Sequence, residues 1–166
     1  MEAVARTAEA IPNAGNSIAC LVFRVRTRLC ALPLGNVVET MRPPPIEALP
    51  RTPPFAPGLT TIRGMQIPVV DARRLLSAND NSDEIEPGRL ISVRLGQRLV
   101  GLLVDSVIGI RSIQECSLRT LPPLLQDAAN DVISTIGSLD AELLLILNGA
   151  RLTPDDVFAR IEETRL

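Results

Sequence analysis

Short apolar runs, broken by turn-forming residues, recur along this chain at the spacing of strands rather than helices. Ile18–Val25 reads IACLVFRV; Arg26-Thr27-Arg28 and then Leu29–Leu32 follow it. This predicts a hairpin whose turn lacks the usual glycine or asparagine. Val37–Met41 is a third apolar run, and Leu59–Arg63 with Gln66–Val70 forms a second strand pair hinged at Gly64. In Arg89–Leu95, Ile91, Val93 and Leu95 alternate with Ser92 and Arg94, the period of a half-buried strand. Gly96-Gln97 turns the chain into Leu99–Val104, and Val107–Ile113 continues after Asp105. Val132–Ile136 and Leu143–Leu147 are the last strand candidates. Helical signals are confined to two places. Asp71 suits the N-cap of one or two turns ending at Leu76. Thr153, with Pro154 at the first helical position and Asp155 and Asp156 behind it, predicts a closing helix to about Glu163. Its Val157, Phe158 and Ile161 share a face expected to dock on the sheet.

Breakers divide this pattern. Residues 1–17 are short, Ala-rich and charged throughout, and are expected to form a mobile tail rather than a signal peptide. Between 43 and 57 the chain carries Pro43, Pro44, Pro45, Pro50, Pro53, Pro54 and Pro57, too dense for helix or central strand, so a loop is expected. Ser77–Gly88 is polar and is the best linker, separating halves 18–76 and 89–152 within one domain spanning 18–162. The halves resemble each other. Shifted by 70 residues, LVFRVRTRLCALPLGNVVE (21–39) falls on ISVRLGQRLVGLLVDSVIG (91–109) without gaps, with Arg24/Arg94, Arg28/Arg98, Leu29/Leu99, Leu32/Leu102 and Val37/Val107 identical. The match fits a shared strand–turn–strand pattern alone; together with the polar linker it favours two similar β subdomains of about five strands each, and units of that size need a shared core or mutual packing.

Composition narrows the chemistry. Net charge is −2 with no basic stripe, and three Phe are the sole aromatics, which argues against nucleic-acid binding. Histidine is absent, and Cys20, Cys30 and Cys116 form no CxxC pair, so neither a metal site nor a cofactor is expected. The cysteines read as small apolar fillers in a reducing cytosol. A Ser–His triad is impossible, and no GxxxxGK[ST] or GxGxxG loop is present. Asp71, Asp105 and Asp140 sit near strand ends, where aspartates usually serve turns and caps rather than catalysis. No run approaches the roughly 20 apolar residues of a membrane span, so no direct membrane insertion and a cytoplasmic location are expected.

Binding fits better. In IACLVFRV, Leu21, Phe23 and Val25 occupy one face while Cys20 and Val22 make the other apolar too; Val37, Val38 and Met41 cannot all face one small core. Such strands need a second cover, either the other subdomain or another protein. Arg63, in GLTTIRGMQIPVVD, is a strand-end arginine aimed by a turn, read either as a solvated surface residue or as a fork for carboxylates and carbonyls.

GLTTIRGMQIPVVDARRLL resembles the central signature of the CheW family of chemotaxis adaptors. There an Arg-Gly pair ends one strand and an apolar-Pro-apolar-apolar-Asp run begins the next. LVFRVRTRLCALPLGNVVE, RLISVRLGQRLVGLLVDSVIGI, LRTLPPLL and LLLILN are similar to further parts of that family, over roughly 18–162. The resemblance implies a mainly β fold: two SH3-like five-stranded β-barrels around a shared hydrophobic core, with a short C-terminal helix. It implies a non-enzymatic scaffold coupling a CheA-type histidine kinase to the cytoplasmic tip of methyl-accepting chemoreceptors, recruited to membrane arrays through those partners. A related module of another chemosensory-type pathway, such as twitching motility, is the alternative. Carried over by position, Arg63 and Gly64 match the family's coupling Arg-Gly, Glu39 matches an acidic residue needed in arrays, and Val37 and Gly58 match receptor or kinase contact positions. The chain departs from the pattern at Arg26-Thr27, Thr40 and Pro43-Pro44-Pro45.

Overall fold

The computed structural model describes residues 16–76, 88–120 and 132–148. Its strands are β1 (Ser17–Val25), β2 (Arg28–Pro33), β3 (Val37–Met41), β4 (Ile46–Ala48), β5 (Gly58–Ile62), β6 (Met65–Asp71), β7 (Arg89–Leu95), β8 (Arg98–Val104), β9 (Ser106–Gln114), β10 (Arg119–Thr120), β11 (Ile133–Leu139) and β12 (Glu142–Leu147); α1 spans Ala72–Leu76. The tail up to residue 15, the linker over 77–87 and the expected C-terminal helix lie outside the described residues. The Pro-rich loop holds one strand that the sequence hides. β4 survives among prolines because it is a three-residue edge strand pairing only with β5.

Two-residue turns set the register of four hairpins, closed by Val25↔Arg28, Ile62↔Met65, Leu95↔Arg98 and Leu139↔Glu142. Such turns demand positive φ to match the strand twist. Arg63-Gly64 (φ 52° and 79°) and Asp140-Ala141 (52° and 65°) are positive at both centres, the type I′ pattern. Arg26 (57°) and Gly96 (65°) are positive at the first centre only, as in type II′. Arg26 thus holds the conformation its repeat equivalent reaches with glycine, and its N–H donates to Asp105 Oδ2. Pro68 is tolerated inside β6 because parallel pairing with β8 begins one residue later, at Val69↔Gly101.

The strands form two six-stranded sheets: sheet I, ordered β10-β11-β12-β2-β1-β9, and sheet II, ordered β3-β7-β8-β6-β5-β4. These sheets do not follow consecutive halves of the chain. β3 leaves the β1–β2 hairpin to pair with β7, and β9 leaves the β7–β8 hairpin to pair with β1. Each repeat therefore gives its third strand to the other sheet. Local periodicity carries no information about which strand a run will pair with, so this exchange of third strands is not visible in the sequence pattern. The repeat extends to irregularities: Val37↔Val93 steps to Glu39↔Ser92, leaving Val38 as an extra bulge residue, and Val22↔Gly109 steps to Phe23↔Val107, leaving Ile108.

Burial explains why both strand faces are apolar. Leu21, Phe23, Val25, Cys30 and Leu32 of sheet I meet Ile91, Val93, Val100 and Leu102 of sheet II in one shared core. These are repeat-equivalent positions: Leu21 with Ile91, Phe23 with Val93, Cys30 with Val100, Leu32 with Leu102. The opposite faces fill separate interiors, with Cys20, Val22, Leu29, Ala31 and Ile146 under sheet I and Ile67, Val69, Leu90 and Leu103 under sheet II. The second cover for β1 is thus the other sheet. Cys20 and Cys30 are buried and Cys116 is exposed. Burial raises the Cys20 pKa and pushes the Cys30 thiol up to about 12. A maleimide reagent at neutral pH is expected to label the native protein at Cys116 alone, with Cys20 and Cys30 reacting after denaturation; rapid native labelling at either would refute this packing.

One ion pair ties β1 to β12 across β2. Arg24 donates to Glu142 through Nη1 at 2.7 Å and Nη2 at 2.9 Å, a bidentate arrangement. Hydrogen bonding from Arg24 holds the Glu142 pKa below its ordinary 4.5. A carboxylate lowered in the folded state contributes stability above its unfolded pKa and loses it as pH falls through the folded value. Wild type is therefore expected to melt higher than Glu142→Gln at pH 7, with the gap closing in acid below about pH 4.5. A gap independent of pH would show that the ion pair is not its source.

Candidate functional site

The β5–β6 turn presents Arg63, whose side chain is 77% exposed. Its Nε and Nη2 donate to Glu39 Oε2 and Oε1 at 3.1 and 3.2 Å. This hydrogen-bonded pairing raises the Arg63 pKa above its ordinary value, so the guanidinium stays charged at any working pH. Glu39 lies on β3, and β7 and β8 separate β3 from β6 in sheet II. A flat sheet would hold these side chains three strand spacings apart, about 14 Å. Their contact means that sheet II curls until its β3 edge approaches the β5–β6 turn. Arg63 and Glu39 are thus one feature, formed by two elements 24 residues apart.

Apolar groups adjoin the pair in sequence. Val38, next to Glu39, is 44% exposed, and Met65, after Gly64, is 54% exposed. The bulge in β3 accounts for Val38: an extra residue in an edge strand re-aims a side chain outward. Val37, the residue picked out from the sequence, is half-buried and packs against the shared core. Val38 was missed, although the inability of Val37 and Val38 to share one face was the signal for it. Gly64 contributes through its φ of 79°, which presents Arg63, and carries no side chain of its own. Gly58 is not part of this cluster. It is buried at the far end of β5, about 16 Å of extended chain from Arg63. Its φ is +155°, and a Cβ there would lie 1.9 Å from the Glu47 carbonyl oxygen, so glycine is required for β4 to approach β5.

The aspartates that a catalytic reading would use have structural roles. Asp71 caps α1, accepting from the Arg73 N–H at 3.0 Å through Oδ1. Asp105 Oδ1 lies 3.6 Å from Arg73 Nη1, and its Oδ2 accepts from Arg26 N–H. Asp140 sits in a hairpin turn at φ 52°. Among the described residues, no three Cys, Asp or Glu side chains cluster as a metal would need, and no helix is long and apolar enough to cross a membrane.

Residues 19–157 match the CheW-like domain. The chain is 34% identical over 133 residues to "Protein FrzA" of Myxococcus xanthus, covering 78% of this chain and 81% of that protein. It is 24% identical over 142 residues to "Chemotaxis protein CheW" of Klebsiella aerogenes, covering 86% and 85%. The crystal structure of the scaffolding protein TtCheW from Thermoanaerobacter tengcongensis superposes with a TM-score of 0.72 at 26% identity, over 80% of this chain and 90% of that one. The two sheets with their common core are the two SH3-like subdomains of that fold. With the match spanning both sheets, this chain belongs to the CheW-like family of scaffold and adaptor proteins in chemosensory signalling.

Proposed function

We propose that this protein is a non-enzymatic coupler between a CheA-type histidine kinase and the cytoplasmic tips of methyl-accepting chemoreceptors. The proposed contact surface is the β3 edge with the β5–β6 turn. The observation that carries this reading is the Arg63–Glu39 pair: a bidentate ion pair between an exposed arginine and a half-buried glutamate, held on a turn whose first centre has φ 52°, where an arginine costs stability. Arg26 and Asp140 hold similar φ at their own turns, so what singles out Arg63 is its exposed guanidinium, whose pairing adds little to the fold and whose fork suits a partner's carboxylates or carbonyls. Val38 and Met65 add exposed apolar area beside the charges. Docking on both partners lets a receptor's conformational bias shift the kinase's active fraction, and two attachments raise effective concentration. The protein would then reach membrane arrays through its partners.

Titration of the purified chain with the kinase regulatory domain and with a soluble receptor-tip fragment, each alone and then together, tests this. Binding of each at tens of micromolar or tighter is expected, with the pair stronger than either alone. No binding to the kinase domain at about 100 µM would overturn the kinase half. A second reading places the chain in a different chemosensory pathway, favoured by its higher identity to Protein FrzA (34%) than to the Klebsiella CheW (24%). Preferential binding to that pathway's kinase would select it.

A further inference from the structure

The two crossovers between the sheets occupy equivalent places in the repeat but are fastened unequally. Each link reaches back to the carbonyl of the equivalent arginine: Asp105 N–H donates to the Arg24 carbonyl at 3.0 Å, and Asn36 Nδ2 donates to the Arg94 carbonyl at 3.3 Å. The likeness ends there. Asp105 also accepts from Arg26 N–H and faces Arg73 Nη1 at 3.6 Å, so one residue ties the β1–β2 turn of sheet I to α1 beside sheet II. Arg73 is itself nearly buried and lies 3.8 Å from Asp71. The position equivalent to Asp105, 70 residues earlier, is Gly35. It has no side chain to fasten anything, and beyond its own chain neighbours no described atom lies within 4 Å of where its Cβ would sit. The 3-10 turn that holds it, Leu34–Asn36, buries none of its residues and has no side-chain cap hydrogen bond. Beyond it, β3 has no buried residue and lies at the edge of sheet II beside β7. The equivalent stretch of β9, 107–111, has no buried residue either, but β9 runs on to Gln114 and buries Ile113 in the interior under sheet I.

We propose that β3 is the movable element of this fold, hinged at Gly35, and that Asp105 is the latch that fixes the opposite crossover. Local opening concentrates where burial is shallow and pairing is one-sided. β3 has no fully buried residue and pairs with β7 alone; the partly buried Val37 and Met41 and the Glu39–Arg63 pair are its other ties among the described residues. Because β3 carries Val38 and Glu39, this gives the docking surface, on the reading above, a mechanical character: a partner that competes for the Arg63–Glu39 pair takes away the side-chain tie between this edge strand and the β5–β6 turn.

Native-state hydrogen exchange tests the hinge and the latch without any partner, so its outcome is separate from that of the docking reading. Amides of 37–41 are expected to exchange about tenfold or more faster than the equivalent 107–111, with β8 amides reporting global unfolding. Gly35→Ala should slow β3 exchange about two- to fivefold by stiffening the hinge, leaving β9 unchanged. Asp105→Asn keeps an acceptor for Arg26 N–H and removes the charge facing Arg73; it should speed exchange at 106–111 about tenfold relative to β8. Equal protection of the two edge strands, or no response to Gly35→Ala, overturns the hinge. Unchanged β9 exchange in Asp105→Asn, or acceleration matched by β8, overturns the latch.

Discussion

Arg63→Glu is expected to fold normally and to lose coupling, with ternary assembly of kinase domain and receptor fragment weakened about tenfold or more. The fold should survive because Arg63 is exposed and its ion pair sits in solvent, where such pairs contribute little. The backbone demand is unchanged, since the φ of 52° is no easier for glutamate than for arginine. What changes is the surface: a fixed cation becomes an anion facing Glu39, and a partner carboxylate or carbonyl that met the guanidinium meets repulsion. Two companion variants locate the effect. Arg63→Asn removes the charge and suits positive φ better, so it should melt at or above the wild-type temperature while still coupling poorly. Exchanging the charges in the double variant Glu39→Arg with Arg63→Glu restores an ion pair but reverses its direction. Recovery of coupling there would mean that only the β3–turn tie matters. Continued loss would mean that the partner reads the charges where they stand. An Arg63→Glu protein that unfolds, or that couples normally, would remove Arg63 from the contact surface.

Much of this site was legible in the sequence, and what was not has identifiable causes. The IRGM stretch marks a tight turn because glycine follows a strand end, and it places Arg63 at the surface. That Glu39 is its partner depends on the closure of sheet II, and no local pattern encodes a contact across 24 residues. The pairing of LVFRV with ISVRL exposes a duplicated hairpin, but not that each copy's third strand crosses to the other sheet. Alternation likewise assigns one face to every second residue until a bulge adds one. Val37 and Val38 therefore exchange roles in the structure, the first packing on the core and the second exposed. Proline density hid β4 for a related reason: a short strand pairing on one side needs few of the donors that proline lacks.

Gly58→Ala is expected to cost about 3 kcal/mol or more, lowering the melting temperature by roughly 6–12 °C. The clash is with backbone and has nowhere to go. A Cβ at this position would lie 1.9 Å from the Glu47 oxygen, 2.7 Å from its carbonyl carbon and 3.0 Å from the Ala48 Cα. Relief requires β4 to move off β5, breaking the pairs from Ile46↔Thr60 to Ala48↔Gly58. Thr60, nearly buried, would lose the Pro45 carbonyl that its hydroxyl donates to at 2.9 Å, and Ile46 would leave the interior under sheet II. This prediction also separates two meanings of the glycine. The family resemblance gives Gly58 a place in partner contact; its burial and its distance from Arg63 give it a place in the fold. A Gly58→Ala protein that melts early, yet binds the kinase domain with near-normal affinity once the unfolded fraction is accounted for, assigns the glycine to the fold. The reverse outcome, wild-type melting with binding lost, would place a partner against the β4–β5 edge and extend the docking surface far beyond the Arg63–Glu39 pair.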